Sequence, residues 1–254
     1  VDGQVLSSGI YGLSASLHAG IGDIVIKGEG FSGFSASNAS GIYFGTAPSS
    51  PVSSLTSAGG SISLEGKGGS DTDSMMYGTN NYGIDLSSAT VSNSGLGAIN
   101  LTGIGGVSSY GNYGVNLSSA TLESVDGAIT VEGTGGDYSA SYSNYGIAVS
   151  NGGINATGTG DITLTGTGGV GTTNNYGINL DSNTISATGG NISLSGTAQG
   201  TGNYNSGVVA DSFGGAISVT NTGNGNIFLS GISSPNSTGF SEGIGLGEIL
   251  LSTQ

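Results

Sequence analysis

The sequence predicts an all-β chain, a right-handed, three-sided parallel β-helix (β-solenoid) of about eight coils of roughly 30–40 residues each. Three recurring elements carry this expectation. A short segment with apolar residues at alternate positions and glycine at both ends returns as Gly22–Gly28, Gly60–Gly66, Gly97–Gly103, Gly127–Gly133, Gly160–Gly166, Gly190–Gly196 and Gly225–Gly231. Asn-Tyr-Gly followed by Ile or Val returns at Asn81, Asn112, Asn144 and Asn175, with looser forms around Gly9, Gly41, Gly207 and Gly243. Between the two lies a further apolar position, seven or eight residues before the Ile of the glycine-bounded segment.

Taken in order within a coil, the Asn-Tyr-Gly element supplies the first strand, because Ile84 and Leu86, and their equivalents, alternate behind the glycine. Its glycine is present in every cycle, which predicts a corner that needs either positive φ or a close backbone approach. The second strand is centred on Leu17, Leu55, Val91, Leu122, Ile154 and Ile185; in the seventh cycle Ile217 is assigned this place, with Asn221–Asn224 inserted before Ile227. The third strand is the glycine-bounded segment, as in Ile162-Thr-Leu164. A five-residue strand cannot bury an apolar face alone. Aligned copies stacked about 4.8 Å apart bury every Ile and Leu in one interior column.

Insertions lengthen some turns. Gly69–Asn80 is the longest, Ala47–Ser54 carries Pro48 and Pro51, and Asp137–Ser143 is a shorter polar loop. Loops leaving one side of a solenoid commonly form its binding face, so Gly69–Asn80 is the first place to look for a ligand. The ends, Val1–Ser8 and Glu248–Gln254, do not resemble polar caps, and Ile249-Leu250-Leu251 continues the strand pattern. The expectation is a single repeat domain over 1–254, a segment of a longer solenoid or a unit whose ends a neighbour covers. Val1-Asp2-Gly3-Gln4 has neither the basic start nor the apolar run of a signal peptide.

Composition narrows the function classes. The chain has 254 residues, 53 of them glycine, no cysteine, and a net charge of −14 with Lys27 and Lys67 as its only basic side chains. Phosphate neutralisation needs clustered Lys and Arg, so nucleic acid and anionic membrane surfaces are not expected partners. No window is long and apolar enough to span a bilayer as a helix. Disulfide and thiol chemistry are excluded.

Asn81, Asn112, Asn144, Asn175 and Asn205 share one slot, and Tyr82, Tyr113, Tyr145 and Tyr176 the next. In-register amides hydrogen-bond along a stack and rings stack offset, so both columns are expected to be structural ladders, with the tyrosines facing inward alongside Ile84 and Leu86. Asp71 and Asp73 are spaced to serve calcium, but the run lacks the glycine and closing glutamate of an EF-hand loop, so no metal or other cofactor is expected. Asp23, Asp161, Glu65 and Glu132 fall at outward positions as solvated acids. His18 is the single histidine, there is no arginine, and no slot shows acids in consecutive coils, so the chain is not expected to be an enzyme and no catalytic residue is assigned. The slot holding Val25, Ser63, Asn100, Thr130, Thr163, Ser193 and Phe228 is too mixed for an ice-binding threonine ladder.

GDITLTGTGG, GGNISLSG and NYGINL resemble the repeats of filamentous-haemagglutinin-like secreted adhesins, the β-strand-repeat proteins of Gram-negative bacteria, cyanobacteria included. The resemblance covers nearly the whole chain. It implies a right-handed β-helix, an extracellular or cell-surface location and a role in adhesion, biofilm or matrix building. The family's amino-terminal secretion domain and an Arg-Gly-Asp motif are not present, and no functional residue carries over. The expectation is therefore a stiff structural rod that self-associates into a fibre or end-to-end stack and displays loops, with surface glycans as further partners. A carbohydrate- or ice-binding solenoid is the alternative, and a β-helix polysaccharide-degrading enzyme the third.

Overall fold

The computed structural model describes residues 8–73, 78–211, 215–247 and 249–253, and over these the chain is a three-sided parallel β-helix with no helical segment. The first wall holds β1 (Ile10–Leu13), β4 (Ile42–Gly45), β7 (Ile84–Ser87), β10 (Val115–Ser118), β13 (Ile147–Ser150), β16 (Ile178–Asp181), β19 (Val208–Ala210) and β22 (Ile244–Leu246). The second holds β2 (Ser16–His18), β5 (Ser53–Ser57), β8 (Ala89–Asn93), β11 (Thr121–Ser124), β14 (Gly153–Ala156), β17 (Thr184–Ala187), β20 (Ile217–Asn221) and β23 (Ile249–Thr253). The third holds β3 (Ile24–Glu29), β6 (Ile62–Lys67), β9 (Ile99–Ile104), β12 (Ile129–Thr134), β15 (Ile162–Thr167), β18 (Ile192–Thr197) and β21 (Ile227–Ile232). Seven complete coils are followed by two strands of an eighth.

Register follows from the period of two. One step of slippage would turn every Ile and Leu to solvent, so like residues stay stacked. In the third wall Ile62, Ile99, Ile129, Ile162 and Ile192 form one fully buried column. Leu64, Leu101, Val131, Leu164 and Leu194 form the next. The second wall adds Leu55, Val91, Leu122, Ile154 and Ile185. Each such side chain contributes about 1.5–3 kcal/mol by burial. In the seventh coil the residue paired with Ile185 is Val219, not Ile217. Val219 stands eight residues before Ile227, so the ordinary spacing holds and no insertion is needed. Ile217 is an additional core residue, fully buried one pleat earlier.

The glycine present in every coil is explained by close approach and not by positive φ. Where the third wall turns into the first, a Cβ on Gly103 would lie under 3.0 Å from the carbonyl of Gly114, and one on Gly114 under 3.0 Å from the backbone of Thr134 and Gly146. Gly133 against Gly146 and Gly166 against Gly177 repeat the contact. Positive φ falls elsewhere, mostly on Ser and Asn, with Gly111 and Tyr204 taking it just before the corner in the fourth and seventh coils. Ser88, Ser119, Asn151 and Ser182 turn the corner from first to second wall at φ of 50–56°. Asn80, Ser143 and Asn174 hold φ of 55–59° just before the Asn-Tyr-Gly glycine corner. Side chains this short tolerate the left-handed region where larger ones are strained.

Gly114→Ala should therefore destabilise the fold by about 1–3 kcal/mol or more, since the methyl meets backbone on two coils. Thr130→Ala, on the outer face of the third wall, should stay within about 0.5 kcal/mol of the parent. Urea unfolding followed by circular dichroism measures both; a Gly114→Ala protein as stable as the parent contradicts the close-packed corner.

Candidate functional site

The corner that joins the third wall to the first carries the residues the sequence singles out. Asn81, Asn112, Asn144, Asn175 and Asn205 are all fully buried there. The Nδ2 of Asn112 donates to Oδ1 of Asn144 at 3.0 Å, Asn144 to Asn175 at 2.9 Å, and Asn175 to Asn205 at 2.8 Å. The backbone N–H of Asn112, Asn144 and Asn175 donates to the same acceptor. Each carboxamide oxygen so takes two hydrogen bonds from the coil before it, and Ser241 closes the series by accepting from the N–H of Asn205 at 2.9 Å. Between Asn81 and Asn112 the ladder changes partners. Asn81 instead takes the N–H of Ala39 at 3.0 Å and donates to the carbonyl of Ala36, while Asn112 takes the hydroxyl of Ser108. Buried amides left unpaired cost about 1–3 kcal/mol each, so this ladder fixes the register of the corner.

The tyrosine ladder is present, but it does not face inward. Ring centroids of Tyr82, Tyr113, Tyr145 and Tyr176 follow one another at 4.9, 4.5 and 5.0 Å with planes within 25°. The rings are half-buried and lie outside the apolar core, on the side of Asp85, which alternates with the core residues Ile84 and Leu86. The strand alternation does not run back through the corner: the asparagine takes the interior there and its neighbour is turned outward. Burial pushes all four phenols up from their usual value, that of Tyr176 to about 12, with Asp211 among its lesser causes. These rings are not a strongly exposed aromatic strip.

Asp85 carries no signal in the sequence and is the most unusual acid of the chain. It lies on the outer side of the first wall yet is only 7% exposed. The hydroxyl of Ser87 and the amide of Asn116 each donate to Oδ1 at 2.8 Å. Burial raises its carboxyl above the ordinary range, against the lowering effect of the Asn116 and Ser87 hydrogen bonds. Further stacks also escape the sequence pattern: Tyr11 on Tyr43, Tyr110 on Tyr142, and Tyr204 on Phe240.

Asp71 is buried and spends both oxygens on backbone, accepting the N–H of Ser35 at 2.9 Å, of Asp73 at 2.8 Å and of Gly78 at 2.6 Å. It therefore holds the loop 69–80 in shape; residues 74–77 of that loop lie outside the described residues. Among the described residues no group of three or more His, Asp or Glu is gathered to hold a metal. Asp23 and Asp161 are exposed and accept the N–H of Ser61 and Asn191. Glu65 pairs with Lys27, Glu132 is solvent-exposed, and the exposed His18 bonds the Thr56 hydroxyl at 2.7 Å. One acid pair does stand at matching places in adjacent coils: Asp181 and Asp211 directly follow the paired Leu180 and Ala210. The pair carries no motif signal because the seventh coil has Ser206 where the repeat is marked by tyrosine.

The fold defines the class, a three-walled parallel β-solenoid repeat protein. Comparison with protein-family models, curated proteins and solved structures finds no match to this chain.

Asp85 gives a pH dependence with a definite sign. Its folded pKa is raised, so the folded state holds a proton that the unfolded chain releases, and stability declines as pH rises from the ordinary carboxylate value toward the folded one. Asp85→Asn keeps a side-chain oxygen for Asn116 and should flatten that decline and be the more stable form at pH 7. Urea midpoints across pH 3–8 report it; equal pH profiles for parent and variant contradict the assignment.

Proposed function

We propose that the chain is a structural rod of an extracellular bacterial fibre, adhesin stalk or surface matrix. The observation that carries this reading is the unbroken register of three parallel walls, in which amide, ring and aliphatic columns all run along one axis. Every backbone bond between coils resists bending and fraying, and the walls expose loops without moving. The acidic surface keeps such rods apart laterally. Axial association is favoured by the end surfaces, where the core columns open to solvent: Leu251 is 41% and Leu246 48% exposed, beside the half-buried Ile227 and Leu229. A further coil stacked on this face, of the same solenoid or of a second copy, would cover these residues and pair the strand edges. The resemblance to haemagglutinin-like repeats supports the same reading through the motifs alone.

Electron microscopy of concentrated protein should show filaments one solenoid wide. Leu251→Lys places a charge in the open column and should shorten or abolish them while the far-ultraviolet dichroism is unchanged. Monodisperse short particles from the parent protein, or filaments indifferent to Leu251→Lys, would remove the axial stack.

A second reading, a flat binding face for ice or a crystalline polysaccharide, gains support from the third wall. The outer face carries Thr130, Thr163 and Ser193 in one column, Glu132, Thr165 and Ser195 in the next, and Thr134, Thr167 and Thr197 in the one after, so the hydroxyl array is wider than the single mixed slot visible in the sequence, with Glu132 interrupting it. Thermal hysteresis of the parent protein, lost in Thr165→Lys at the centre of the face, is the outcome this reading requires; ice growth identical to a buffer control rejects ice as the ligand.

A further inference from the structure

The tyrosine ladder stops two coils short of the end of the first wall. Aligning strands by their paired residues Ile178, Val208 and Ile244 puts Tyr176, Ser206 and Glu242 in the same slot of successive coils. The ring of Tyr176 is therefore followed by a hydroxymethyl group where each earlier ring is followed by another ring. A notch of about 440 Å³ opens at this place, floored by Tyr176, Ser206 and Val209. Its side is the Tyr204–Phe240 stack, centroids 6.3 Å apart, with Tyr204 51% and Phe240 79% exposed. Two acids line it as well. A Cβ on Gly245 would fall 2.5 Å from Oε2 of Glu242, and one on Gly247 would fall 2.8 Å from Oδ1 of Asp211, so both carboxylates lie close against glycines that line the notch.

The charge of this notch is not compensated from within the chain. Both lysines are engaged in the first two coils, Lys67 with Glu29 at 2.7 Å and Lys27 with Glu65, and there is no arginine. An occupant must therefore supply a flat surface for stacking on Tyr176 and hydrogen-bond donors with positive charge for two carboxylates. A guanidinium has all three: it is planar, stacks on aromatic faces and presents a fork of N–H donors. A pyranose offers a surface and donors but leaves the two like charges unrelieved, and an ammonium relieves the charge without the plane.

We propose that the notch at Ser206 binds the guanidinium of an arginine side chain presented by another molecule. The group completes the ladder as a fifth member above Tyr176 and donates to Asp211 and Glu242. Residues 1–254 contain no arginine, so the group comes from outside this stretch of solenoid; the site is a contact point on the side of the rod and stands independently of the axial stacking.

N-acetyl-arginine methylamide, N-acetyl-lysine methylamide and N-acetylglucosamine are titrated separately into the full chain, with backbone amide NMR shifts as the readout. The arginine derivative should give saturable shifts confined to the seventh and eighth coils, around Tyr204, Val209 and Gly245, and should bind more tightly than the lysine derivative. The pair Asp211→Asn with Glu242→Gln should weaken it about three- to tenfold, the loss expected for two partly exposed charge contacts. Ser206→Tyr, which fills the slot, should abolish the shifts; dichroism verifies that it folds, and the charge variant decides if it does not. Equal binding of the lysine derivative, binding of the sugar in place of arginine, or an arginine response unchanged by the charge variant overturns the proposal.

Discussion

Backbone packed directly on backbone at one corner is the constraint on which the rest of this structure depends. Where the third wall meets the first, the glycine of one strand lies against the carbonyl of the glycine that opens the next, with no room for a methyl group. That contact sets the cross-section of the solenoid. It brings the walls close enough for Ile and Leu columns to fill the interior, and it repeats at the same place in each coil. Helical propensity plays no part, since glycine, serine and asparagine are poor helix formers. The fold is secured by stacking, which a chain so rich in glycine needs to offset its ordering entropy.

Two ladders grow from this corner because the chain passes it in the same conformation every time. The asparagine before the tyrosine is drawn into a dry interior, where its amide has no water and must find the next amide. The tyrosine is turned the other way, over the outer face of the first wall. There it lies beside a row that alternation alone would leave wet, and in that row Asp85 and Ala148 are buried. Electrostatics follow packing: burial, more than neighbouring charge, shifts both the phenols and this carboxyl.

Local differences then appear where the repeat lapses. Asp71 organises an inserted loop by capping its backbone, and Ser206 interrupts the rings and leaves a notch with acids and aromatic faces. Each feature is a departure of one or two residues from a regular frame. The frame holds its neighbours still, so a single small side chain creates a shaped cavity instead of a local collapse.

The sequence by itself determined the solenoid, its three walls and its aliphatic columns, because alternation at period two and a recurring spacing leave one economical way to bury Ile62, Ile99 and their equivalents. It also determined that asparagines and tyrosines stack, since identical residues at identical places in parallel coils must meet. Only the tertiary structure decided which of those two columns is inside, because the corner breaks the alternation that a strand pattern assumes. The same holds for the reason the repeated glycine is needed, which is the nearness of another coil and not its own dihedral angle. Val219 taking the core slot, Asp85 being buried and Asp181 standing beside Asp211 are likewise facts of register. They depend on contacts between residues about thirty positions apart, which local pattern does not contain.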